Sequence, residues 1–92
     1  EPPIGICGLK KIYDGRAEYW GYIGEKRLWG HGLGKDMMKA AIEKAMDLNL
    51  NSIWLRVRKY NARAIRLYKS IGFIIERDEP ETYLMSMELT IN

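Results

Sequence analysis

Three glycines alternate through Gly30-His31-Gly32-Leu33-Gly34, after an aromatic-rich segment and before a run with helical spacing. A strand, a glycine-dense turn and a helix start constrain the fold strongly. Glycines let a ligand approach the backbone, and the helix start offers unpaired N–H groups and the positive end of its dipole. The segment is therefore a candidate anion site, and its spacing limits which anion. A mononucleotide loop needs four residues between its first Gly and the Gly-Lys pair, then Ser or Thr. Here Gly30 and Gly34 enclose three residues, and Asp36 follows Lys35. A dinucleotide fingerprint needs a third Gly where Lys35 stands. Both patterns fail, and the loop alone reads equally as a flexible turn before a helix.

The periodicity around the loop predicts the remaining elements. Residues 4–12 read as a strand, Asp14-Gly15 as a two-residue hairpin, and residues 17–23 as its antiparallel partner. Leu33, Met37, Met38, Ala41, Ile42, Ala45 and Leu48 recur at steps of three and four, which predicts a helix of about four turns. Residues 52–57 alternate as a strand. Asn61 is placed to cap a second helix whose apolar face carries Ala64, Ile65, Tyr68 and Ile71, with Gly72 at its end. Residues 73–76 and 83–91 read as two more strands around a turn at Pro80. The order ββαβαββ predicts an α/β or α+β fold with helices covering a sheet.

Ninety-two residues predict a single domain, 1–92. Cys7 and His31 are the lone residues of their types. That excludes an internal disulfide, a cysteine-based zinc site and a histidine-rich metal centre, so no metal is expected. No apolar run approaches the roughly 18 residues of a membrane span, and the composition suits a reduced, cytoplasmic protein. The net charge of +3 is unevenly spread. From Leu48 to Ile75 there is no Asp or Glu, while Arg56, Arg58, Lys59, Arg63, Arg66 and Lys69 all lie there. That stretch reads as a field for a polyanion, as a solvated helix face, or, on charge alone, as a nucleic-acid surface. Glu76, Asp78, Glu79 and Glu81 form an acidic turn that reads as a lure for a cationic acceptor or as a polar loop. Met37, Met38 and Met46 read as core filling, Cys7 as a small buried residue, and Trp20, Trp29 and Trp54 as packing or pocket wall.

The segment from Asn61 to Phe73, NARAIRLYKSIGF, changes the reading of the glycine loop. With it the chain resembles the GNAT superfamily of N-acetyltransferases. Trp29-Gly30-His31-Gly32-Leu33-Gly34 resembles the family's acyl-CoA pyrophosphate loop, Arg/Gln-x-x-Gly-x-Gly/Ala, with Trp29 where Arg or Gln is usual. Asn61, Leu67-Tyr68 and Ile71-Gly72-Phe73 resemble its second signature, with the same step from Asn to Tyr. A Trp-Gly start is similar to the branch acting on protein N-termini, polyamines and amino sugars. The resemblance covers nearly all of 4–89 and implies a mixed, mostly antiparallel central sheet flanked by helices. The family's N-terminal strand and two helices have no counterpart here, so an N-terminally truncated, cofactor-binding part is expected. The sheet face they would cover is then exposed, or covered by a partner copy or by residues outside this chain.

The resemblance also implies roles. Backbone N–H groups of Gly30, Gly32 and Gly34 would hold the pyrophosphate of acetyl-CoA within a loop that includes Trp29, His31, Leu33 and Lys35. Tyr22, Ile23 and Gly24 would offer main-chain partners to the pantetheine, as a peptide adds to a strand edge. Asn61 would hold the arm's far side, or serve as a plain cap. Tyr68 would protonate the leaving thiolate, which suits a phenol with a pKa of about 10; otherwise it is a core tyrosine. Glu18 would take the acceptor's proton, or be a strand glutamate paired with Arg16 or a Lys; Glu25 is a weaker candidate. The expected activity is acetyl transfer from acetyl-CoA to a peptide α-amine, polyamine or amino sugar by direct attack. The alternative is a non-catalytic acyl-CoA-binding or regulatory module.

Overall fold

A computed structural model describes residues 5–23 and 32–89. Ile4, Gly24, Glu25, Trp29, Gly30, His31 and Ile91, which the sequence assigns to strands or to the loop, lie outside the described residues. The elements are β1 (Gly5–Tyr13), β2 (Arg16–Ile23), α1 (Leu33–Asp47), β3 (Ser52–Arg58), α2 (Ala62–Ile71), β4 (Ile74–Asp78) and β5 (Thr82–Glu88). The expected order is present. The β1–β2 turn has positive φ at both Asp14 and Gly15, which matches the twist of a tight hairpin. Strand β4 runs two residues past the expected Glu76, because antiparallel pairing with β5 continues to the Asp78–Tyr83 rung.

The five strands form one sheet in the order β1-β2-β3-β5-β4. Neighbours are antiparallel except β2 and β3, the parallel pair that α1 connects by crossing over. That parallel pairing consists of three rungs, Arg16–Ser52, Ala17–Ile53 and Glu18–Trp54. Beyond Glu18 and Trp54 the two strands part.

Strand alternation sends Ala17, Ile53, Leu55 and Met85 to one face, where they are buried with Met38, Ala41 and Ala45 of α1. Ala64, Ile65, Tyr68 and Ile71 of α2 pack against the same cluster. Two residues depart from the expected core: Met46, read as core filling, and Leu48, the last of the apolar stripe. Met46 is 42% and Leu48 44% exposed. Met46 follows Ala45 and so turns about 100° away from the core side. Leu48 lies past the helix end, where its N–H caps onto Lys44, and Leu50 takes the buried place instead.

The opposite face brings together charges that the sequence keeps apart. Arg56 donates to Glu79 at 2.9 and 3.3 Å, Arg58 to Glu81 at 3.0 Å, and Lys59 pairs with Asp78. Arg16 reaches Glu76 at 2.9 Å and donates to the Ser52 hydroxyl at 2.9 Å. The basic β3 end and the acidic turn therefore neutralise one another, which corrects the expectation of a free basic field and a free acidic lure at these positions.

Candidate active site

Where β2 leaves β3, a cavity of about 470 Å³ opens between the end of β2, the start of α1 and the start of α2. It brings together six of the residues singled out from sequence: Tyr22, Gly32, Gly34, Lys35, Asn61 and Tyr68. Leu33 begins α1 but packs toward β1, its side chain 3.3 Å from the position a Cβ on Gly5 would take. The backbone of Ile23 ends β2.

The anion end of the cavity is built by α1. Its N-cap, Gly32, has φ 87° and ψ −4°, a left-handed conformation that costs an L-residue roughly 1–2 kcal/mol. A Cβ there would meet nothing within 4 Å among the described residues, and Gly32 lines the cavity. The Gly32 carbonyl accepts from Asp36 N–H at 3.0 Å and starts the helical ladder. The N–H groups of the first turn then lack partners within the helix. Lys35 and Arg63 add positive charge from two different helices. Met37, Ala64 and Leu67 make part of the wall apolar. This mixed lining fits a polyanion carrying a partly apolar arm.

Asn61 caps α2: its Oδ1 accepts from Ala64 N–H at 3.2 Å. The cap commits the oxygen, and the amide NH2 is the donor that this residue can offer the cavity. Capping and ligand contact use different atoms. Tyr68 is half-buried, with its ring 5.8 Å from Phe73 at 54°. Burial pushes its phenol pKa up, so the hydroxyl keeps its proton at neutral pH. Tyr68 thus packs against the core and lines the cavity at once.

Sequence reasoning missed Tyr19 and Gly21, which also line the cavity; Arg63, read from sequence as part of a polyanion field or of a solvated helix face, lines it too. Tyr19 is 6% exposed, and burial first, then the neighbouring Tyr68 and Cys7, pushes its phenol upward. Its hydroxyl crosses Gly21, where a Cβ would stand 2.5 Å from that oxygen. A tyrosine two residues before a glycine on one strand face was the available signal. Cys7, half-buried, sits with its Sγ 3.6 Å from the Met37 carbonyl.

Glu18 lies outside this cavity. It faces the side of the sheet away from the helices, in register with Lys10 and at the last rung before β2 and β3 part. It is 9% exposed and forms an ion pair with Lys11, Nζ to Oε1 3.3 Å. The contact lacks hydrogen-bond alignment, and buried Oε1 has no hydrogen-bond partner among the described residues. Arg16, the other partner considered, is committed to Glu76 and Ser52. Among the described residues no group of His, Cys, Asp and Glu could hold a metal ion, and no helix is long and apolar enough to cross a membrane.

Comparison with known proteins agrees with this architecture. The family model of the Acetyltransferase (GNAT) family matches residues 1–73. N-alpha-acetyltransferase 30 of Saccharomyces cerevisiae is 33% identical over 76 residues, covering 78% of this chain and 43% of that protein. Spermine/spermidine N(1)-acetyltransferase of Bacillus subtilis is 38% identical over 76 residues, covering 76% of this chain and 50% of that protein. The matched segment thus spans half or less of either relative. The crystal structure of Ard1 from Thermoplasma volcanium superposes with a TM-score of 0.87 at 26% identity, covering 96% of this chain and 64% of that one. That coverage takes in the β4–β5 hairpin beyond the family-model match. By its element order, its parted sheet and its sequence, the chain belongs to the GNAT family of acetyltransferases, which use acetyl-CoA.

Proposed function

We propose that this chain forms the acyl-CoA-binding core of a cytoplasmic N-acetyltransferase acting on a primary amine. The observation that carries the reading is the cavity at the β2–β3 parting, which gathers the α1 N-terminus, Asn61 and Tyr68. Acetyl-CoA supplies an activated thioester. The first-turn N–H groups around Gly32 and Gly34, with Lys35 and Arg63, bind its pyrophosphate. By the motif alone, Trp29, Gly30 and His31 would belong to the same pyrophosphate loop. Tyr22 and Ile23 at the end of β2, Gly24 by its place in the motif, and the Asn61 amide align the arm.

The amine needs a free lone pair before it attacks, and Glu18 is the proposed acceptor of its proton. Because Glu18 faces the sheet side away from the cavity, the amine and the acyl donor approach the gap from opposite faces. A C–N bond forms, the C–S bond breaks, and the Tyr68 hydroxyl donates its proton to the departing sulfur and is restored by the second proton that the nitrogen loses. The relatives' names support a peptide α-amine or a polyamine as acceptor, and amino sugars belong to the same chemical class. Calorimetry with acetyl-CoA, followed by thiol release on a panel of these amines, tests the proposal. Binding with release on at least one amine is expected. Binding without release on any of them identifies an acyl-CoA-binding module instead, and absence of binding overturns both.

A further inference from the structure

Lys10 stands directly across from Glu18 in the β1–β2 register, where a regular strand would set it over that carboxylate. The ammonium that reaches Glu18 is instead that of the next residue. Lys11 has φ 52°, a left-handed conformation, and sits where the register shifts between Lys10 and Tyr13. Such bulges bend a strand and re-aim a side chain. Here the bulge delivers a primary amine 3.3 Å from a buried carboxylate oxygen and 5.8 Å above the Trp54 ring. Glu18 and Trp54 form the last rung before β2 and β3 part, and Tyr19, next in sequence, lines the cavity on the other face. Arg56, another cation near Glu18, is held by Glu79.

From this placement we propose that Lys11 is an acetyl acceptor of its own chain, modified at Nζ. The inference rests on the acetyl-CoA-dependent reaction proposed above. Glu18 takes a proton from the Lys11 ammonium, the freed Nζ lone pair attacks the thioester carbonyl carbon, and the C–N bond forms as the C–S bond breaks. Tyr68 gives its proton to the leaving thiolate and regains one from the second proton that Nζ loses. Glu18 passes the first proton to solvent, and one acetyl-CoA yields one acetyl-lysine, one free thiol and one released proton. The product amide carries no charge. Glu18 then loses its counter-ion and is left open to an external ammonium.

The 92-residue chain, incubated with acetyl-CoA and no added amine, tests this by peptide mapping of acetyl occupancy. Lys11 is expected to react about 10²-fold faster than the exposed helix lysines Lys39 and Lys44, at a rate independent of chain concentration. Glu18→Gln should bring Lys11 down to the Lys39 rate while acetyl-CoA affinity, read by calorimetry, stays the same. Lys11→Arg keeps a cation on Glu18 and should reduce acetyl uptake to background. If thiol release on an external amine proceeds while Lys11 reacts no faster than Lys39, the self-acetylation is wrong and the enzyme assignment stands. A Lys11 rate that scales with chain concentration also overturns it. If the chain does not bind acetyl-CoA, both readings fall.

Discussion

Alternate residues of β3 live in two different media. Ile53, Leu55 and Val57 are buried beneath the helices, whereas Trp54, Arg56 and Arg58 project into a face organised by ion pairs. The helix face derives its stability from apolar area removed from water, at roughly 25 cal/mol per Å². That term is insensitive to protonation. The other face is held by exposed pairs that typically contribute about 0–1 kcal/mol each and weaken with salt and acid. The contrast teaches where function can sit. The apolar layer positions the cavity, and the polar layer carries Glu18 with Lys11 as its counter-ion.

The largest effect should come from the apolar layer. Ile53 is fully buried, so Ile53→Ala should cost about 2–5 kcal/mol in urea unfolding. A loss under about 1 kcal/mol would mean that the two faces do not differ as described. Tyr68→Phe removes a hydroxyl and keeps the ring against Phe73. Turnover should fall roughly 10²-fold, about 2.7 kcal/mol of barrier, with acetyl-CoA affinity nearly unchanged. Equal turnover in the two proteins would return Tyr68 to a purely packing role.

Asn61 separates capping from binding. Asn61→Asp keeps the oxygen that accepts from Ala64 N–H and lacks the amide donors, so stability should stay near that of the parent while acetyl-CoA affinity drops. Asn61→Ala should also lose about 1 kcal/mol of stability with the cap. If Asn61→Asp binds acetyl-CoA as the parent does, the residue is a cap and nothing more.

The smallest effects belong to the ion-paired face. Arg58→Ala should change stability by less than about 0.5 kcal/mol, because both partners are exposed. The Ser86 hydroxyl and then Arg16 hold the Glu76 carboxyl below its usual range, and Arg56 and then Thr82 do the same for Glu79. A carboxylate lowered in the folded state contributes stability above its unfolded value, about 4.3. That contribution is lost as pH falls through the folded value. Glu76→Gln should therefore flatten the acid limb of a pH–stability profile, and an unchanged limb would remove the pair from the account.

The local features were legible because their causes are local. Asp14-Gly15 names a hairpin by its positive φ angles, Asn61 names a helix start by its cap, and the steps from Leu33 to Ala45 name a helix by period. The glycine loop and the Asn61–Phe73 segment indicated a family because both lie at that family's spacing. The partners of Glu18 were not legible. Residue alternation puts it on a face with Trp20, but only the bulge at Lys11 decides which ammonium meets it. Arg56 and Glu79 likewise look like opposite fields when read along the chain. They are one ion pair once β5 lies between β3 and β4.

The sequence by itself determined the order of elements, their caps and the spacing of two motifs, since these depend on residues within a few positions of one another. The tertiary structure alone decided that β2 and β3 part after Glu18, that Tyr19 joins Tyr68 in the cavity, and that Lys11 reaches the buried carboxylate. The physical reason is register. Strand side chains alternate between faces, so what each one meets is chosen by the neighbouring strand's alignment, and that alignment is settled only when the sheet closes against its helices.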